Sequence, residues 1–151
     1  MRTPASIAHH PIHPMLVPIP IGLWIFSLVC DLIFVFGSGA SVWASVAFYC
    51  MAGGIVGALV AALPGFIDML SLSGDPKKIA LGHMAINLTV VVLYAINLWL
   101  RINGGSTVST IGLSVIAIGL LAVSGWLGGH MVFVHGVAVD TDKVSASAPR
   151  R

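Results

Sequence analysis

Four long, predominantly apolar runs, spanning residues 15–36, 42–63, 79–100 and 108–134, constrain this chain more than any other feature of its sequence. Each meets the roughly 20 residues that a helix needs to cross the hydrocarbon core of a bilayer. None shows the dyad alternation of a membrane barrel strand, so the segments read as helices. Breakers bound them: Gly37-Ser38-Gly39 after the first, Pro64-Gly65 after the second, and Asn103-Gly104-Gly105-Ser106 between the third and fourth. Pro18 and Pro20 fall in the first turn of the first run, where a missing amide costs little. Only 8% of the 151 residues are charged and 58% are hydrophobic, whereas a soluble domain is about one quarter charged. The expected architecture is an all-α integral membrane protein, an up-down bundle of four transmembrane helices. Residues 1–139 form its single domain, and 140–151 a disordered polar tail.

Charge placement orients the bundle. Arg2, Lys77, Lys78, Lys143, Arg150 and Arg151 share one side, and only Arg101 lies on the other. The positive-inside rule puts both termini in the cytoplasm, with Trp43 and Trp99 marking the opposite interface. The first run is too long for a signal peptide, contains Asp31 and follows a proline- and histidine-rich segment. A net charge of +2, dispersed over ends and loops, leaves no basic stripe for nucleic acid. The expected surroundings are the lipid bilayer.

All six histidines map to the cytoplasmic end: His9, His10 and His13 before or at the first span, His83 one turn inside the third, His130 and His135 closing the fourth. Asp68, just past the second span, joins them. Imidazoles projecting inward from different helices are how bundles build haem and metal sites. Haem needs two histidines facing each other across the bundle, which suits His13 with His83 on diagonal spans, or His83 with His135 on neighbouring ones. A bare zinc, iron or copper ion needs three or four convergent donors, for which His10, His13, His83, His135 and Asp68 are the inventory. Histidines can also simply cap helix ends at a membrane interface. His130 and His135 are about 140° apart on a continuous helix, so one at most faces the core unless Gly136 has broken it.

The third span carries a polar stripe. His83, Asn87, Tyr94, Asn97 and Arg101, with Val90 between them, fall on one narrow helical face. That face should point into the bundle, because lipid offers no partner for an amide or a guanidinium. Asp31 and Arg101 are the only charges in the outer half of the protein, at similar depth, and are expected to pair. Gly53, Gly57, Ala61 and Gly65 on the second span, and Gly125 and Gly129 on the fourth, form small-residue faces for close packing or for a flat macrocycle. Cys30 and Cys50 lie at similar depth, as small apolar residues or as a conceivable disulfide.

Several segments together resemble a known family. They are His10-Pro11-Ile12-His13-Pro14-Met15-Leu16-Val17, Pro20-Ile21-Gly22-Leu23-Trp24, Pro64-Gly65-Phe66-Ile67-Asp68, His83 with Asn87 and Asn97, Ser124-Gly125-Trp126-Leu127-Gly128-Gly129, and His135-Gly136-Val137. The chain is similar over nearly its whole length to the domain of unknown function 2231 family of bacterial four-span membrane proteins. The resemblance implies an inner-membrane location and a four-helix fold. Some relatives are joined to Rieske-type iron–sulfur domains, which implies an electron-transfer setting. This chain has no iron–sulfur ligands, so such a partner would be a separate protein.

The leading expectation is a small cytochrome b-like protein taking part in electron transfer. It would bind haem b through His13, His83 and His135, with His10 as an alternate ligand and Asp68 orienting a ligating imidazole. Two other readings stand beside it: a bare metal-ion site, and a cofactor-free structural subunit that contacts other membrane subunits. Hydrolase or kinase chemistry has no nucleophile–base pair or phosphate loop to rest on.

Overall fold

The computed structural model describes residues 3–37 and 39–139. After a two-residue antiparallel ribbon, β1 (Ser6–Ile7) and β2 (His10–Pro11), come α1 (Ile12–Leu16), α2 (Pro18–Phe36), α3 (Ser41–Leu70), α4 (Gly74–Ile102) and α5 (Thr107–Phe133). Ala8 and His9 close the ribbon with positive φ, the pattern of a tight hairpin turn. Four helical stretches, Ile12–Phe36, α3, α4 and α5, are long and apolar enough to cross a membrane.

The helices extend beyond the apolar runs. The first span begins at Ile12 and breaks at Val17, because Pro18 and Pro20 supply no amide to the turn before them. Pro64 does not end the second helix; α3 continues through it to Leu70. Pro64 withdraws only the amide that would serve the Val60 carbonyl, a loss that a membrane helix tolerates without ending; one residue on, the Ala61 carbonyl accepts from His13. The turn to α4 is then only residues 71–73, and Lys78 lies in the first turns of α4, paired with Asp75 at 2.9 Å.

The bundle is inverted relative to a soluble protein. Leu63, Leu88, Val108 and Phe133 are exposed, while Ser27, Asn97, Ser114 and Ser124 are buried. Such a distribution suits lipid outside and hydrogen-bonded polar groups within. Helix α2 packs along α3 and α4 along α5; the two hairpins meet through α3 on α4 and α2 on α5, which leaves α2 and α4 diagonal.

The hairpins are internal equivalents. Residues Pro20, Trp24 and Ser27 of α2 are buried, and so are Val90, Tyr94 and Asn97, each 70 positions on. Ala47, Met51, Gly54 and Ala61 of α3 correspond 63 positions on to Thr110, Ser114, Ala117 and Ser124, the four buried residues of α5. Polar contacts repeat as well: Ser27 Oγ donates to the Ala47 carbonyl at 3.0 Å, and Asn97 Nδ2 to the Thr110 carbonyl at 2.7 Å. Parallel repeats of this kind are related by an axis along the membrane normal. The chain is a pair of pseudo-equivalent hairpins about the bundle axis.

Candidate functional site

Three side-chain pairs cross the diagonal between the first and third spans, at three depths. His13 meets His83 near the end that carries the short α3–α4 turn, Trp24 stacks on Tyr94 in the middle, and Asp31 binds Arg101 at the far end. The spacing is the same on both helices, 11 residues and then 7, so each pair joins equivalent positions of the two hairpins.

At the histidine level each hairpin builds the same half-site. His13 Nδ1 lies 2.8 Å from the Ala61 carbonyl oxygen of α3. His83 Nδ1 lies 2.9 Å from both the carbonyl and the hydroxyl oxygen of Ser124 on α5. A carbonyl can only accept, so Nδ1 carries the proton in each ring, and in the neutral imidazole Nε2 keeps its lone pair. One helical turn beyond each carbonyl stands a glycine. A Cβ on Gly65 would come within 2.7 Å of the His13 ring, and one on Gly128 within 3.4 Å of the His83 ring. The ring centroids are 6.2 Å apart and their planes nearly perpendicular, at 88°. One helix of each hairpin thus carries an imidazole that the other helix orients.

The remaining histidines do not join this pair. His130 and His135 form a ring pair of their own, with centroids 5.2 Å apart. Helix α5 ends at Phe133 and Gly136 adopts positive φ, so the helix is already broken where His135 turns back on His130. His10 is exposed and donates to the Ala8 carbonyl within its own turn. Asp68 accepts from the Ala5 amide at 2.8 Å, strapping the N-terminal segment to α3. The orienting role expected of Asp68 belongs to the carbonyls of Ala61 and Ser124. Among the described residues no three His, Cys, Asp or Glu side chains converge as metal donors.

The stripe on α4 faces inward, with Val90, Tyr94 and Asn97 buried and His83, Asn87 and Arg101 half-buried. Asn97 holds the far end together, donating to Ser114 Oγ as well as to Thr110 and accepting from Arg101 Nε at 3.1 Å. Arg101 grips Asp31 with both Nη atoms, Nη1 to Oδ1 at 2.8 Å and Nη2 to Oδ2. Bidentate geometry of this kind neutralises a carboxylate that burial would otherwise make costly. The Asn87 side chain makes no hydrogen bond to another described residue. The Tyr94 hydroxyl is buried without a partner there, whereas its equivalent, Trp24, donates Nε1 to the Met51 carbonyl at 3.3 Å.

The small-residue faces serve different ends on the two hairpins. Gly54 admits the Trp24 indole, to within 2.4 Å of where a Cβ would sit, and Gly57 admits Ile19 and Pro20. On α5 the close approach falls at Gly128. Gly125 meets nothing within 4 Å and Gly129 only Phe133, so neither seats a neighbouring helix. Cys30 and Cys50 are free thiols.

A family model described as a predicted membrane protein, DUF2231, matches residues 9–141. The chain belongs to this family. Every element from β2 to α5 falls within the matched segment, and so do all three diagonal pairs. The protein is therefore a multi-pass membrane protein of the DUF2231 family. No curated protein and no solved structure matches the chain.

Proposed function

We propose that this DUF2231 protein binds one haem b between His13 and His83 and passes single electrons at that end of the bundle. The reading rests on one observation: two imidazoles from pseudo-equivalent hairpins, each with Nδ1 held by a backbone carbonyl, stand with centroids 6.2 Å apart. Two imidazoles bound through Nε2 to one metal, at about 2 Å per bond and about 1 Å from nitrogen to ring centre, hold their centroids about 6 Å apart. A bare zinc, iron or copper ion is a poorer match, since it wants three or four protein donors and only two converge among the described residues. Haem would bring most of its iron's donors with it and would need only two from the protein, which His13 and His83 would supply.

When bound, haem would supply reversible one-electron chemistry. The protein's own residues would do the rest. Ala61 and Ser124 accept the Nδ1 protons, fix the tautomer and raise the basicity of the opposite nitrogen. Gly65 and Gly128 leave each ring the room in which it stands. The apolar cluster of Met69, Leu72, Ala80 and Val137 covers this end of the bundle and lowers its dielectric. The electron partner, an iron–sulfur protein or another membrane subunit, would approach from the same side, which would be the cytoplasmic face of a bacterial inner membrane if the lysines of α4 follow the positive-inside rule.

Purification from a haem-replete membrane tests the reading. The expected result is a Soret band that shifts on dithionite reduction, with about one haem per chain. A colourless protein carrying stoichiometric zinc or copper, or no metal at all, contradicts it.

A further inference from the structure

The far end of the bundle holds a cavity of about 380 Å³ floored by the Asp31–Arg101 pair, with Phe34, Phe48 and Tyr49 among its walls and Ser45 and Thr110 beside them. Its volume lies in the range of small-molecule sites. Four features define what would fit. The aromatic walls come from the first hairpin alone; Phe48 and Tyr49 stand edge to face with centroids 5.5 Å apart. The floor is charged but balanced, since the Asp31 side chain is only 5% exposed and Arg101 neutralises it. An ionic ligand would bring an uncompensated charge against this buried pair, so the site selects a neutral one. Of the five N–H donors of Arg101, three are engaged by Asp31 and Asn97, which leaves two for a ligand. Two of the hydroxyls in the lining are already committed, Ser45 donating to the Ser41 carbonyl and Thr110 to the Thr107 carbonyl.

We infer that this cavity binds the head of a quinone-class molecule: a neutral, planar, lipid-soluble ring whose carbonyl oxygen accepts from Arg101 while Phe34, Phe48 and Tyr49 pack on its face. Tyr49, in the cavity wall, is itself exposed on the outer face of the bundle, so a hydrophobic tail can lead out past it into lipid. Nothing in this inference depends on haem at the opposite end. Fatty-ester carbonyls of phospholipids share the acceptor chemistry but lack the flat ring that an aromatic wall would grip.

Titration of the purified full-length protein in lipid nanodiscs with a decyl-substituted benzoquinone tests it, with decylbenzene as the control that partitions but offers no carbonyl. One saturable site for the quinone, absent for decylbenzene, is expected. Ser45→Phe, which fills the cavity without touching the ion pair, should weaken binding at least tenfold. It should leave unchanged the melting temperature and any visible spectrum. Arg101→Lys, which keeps the charge but loses the guanidinium fork, should weaken it similarly. Equal uptake of both probes, quinone binding unchanged in Ser45→Phe, or a co-purifying phospholipid that the quinone does not displace would each overturn the assignment.

Discussion

The two ends of the bundle use equivalent positions in opposite ways. At the histidine end both hairpins present the same group, His13 and His83, oriented by the same device, a carbonyl on the paired helix with a glycine one turn beyond. At the far end the equivalent positions carry complementary groups, Asp31 and Arg101, which satisfy each other directly. Like groups facing across an axis leave a valence for something between them; unlike groups close it. The symmetric end therefore reads as a place for one shared ligand. The asymmetric end reads as a lock with a cavity beside it.

The largest expected effect attacks the lock. Asp31→Asn or Arg101→Gln alone leaves a buried charge without its partner and should cost about 3–5 kcal/mol. The double variant should recover much of this loss. Thermal melting in detergent with a size-exclusion readout measures it, and equal damage from all three variants would remove the pair from the account. Next comes the symmetric end. Gly65→Ala places a methyl 2.7 Å from the His13 ring, an overpacking that should cost about 1–3 kcal/mol. Gly128→Ala, at 3.4 Å from His83, should cost less. Reversal of that order would show that the half-sites are not built as described. The smallest effect compares the repeated hydrogen bonds. Ser27→Ala removes one neutral bond, worth about 0.6 kcal/mol inside a membrane protein. Asn97→Ala should cost more in the same melting assay, because Asn97 also engages Ser114 and Arg101.

Much of this architecture was legible in the sequence because the membrane imposes it. Four apolar runs can only be spans, and the inward face of α4 followed from the lack of partners in lipid for Asn97 and Arg101. The helix ends were less legible. Pro64 reads locally as a stop, yet α3 passes through it, because the proline withdraws only the one amide that would serve Val60 and a membrane helix tolerates that loss. The sequence offered His83 a partner in either His13 or His135 and left the choice open, since it turns on where α5 unwinds before His135. Asp68 lies beside the histidines in sequence logic but is spent on the Ala5 amide. The internal repeat left little trace, because equivalent positions keep their place on the inner face while changing type, as Trp24 to Tyr94, Ser27 to Asn97 and Asp31 to Arg101. The far-end cavity has no sequence signature, being bounded by residues from α2, α3, α4 and α5.

Absorption spectra of His13→Ala, His83→Ala and His130→Ala, each purified beside the parent protein, test the central claim most directly. If the pair takes one haem between its hairpins, the first two variants lose the six-coordinate spectrum to the same degree and the third keeps it. A parent spectrum that survives replacement of either His13 or His83, or that disappears with His130, would contradict it.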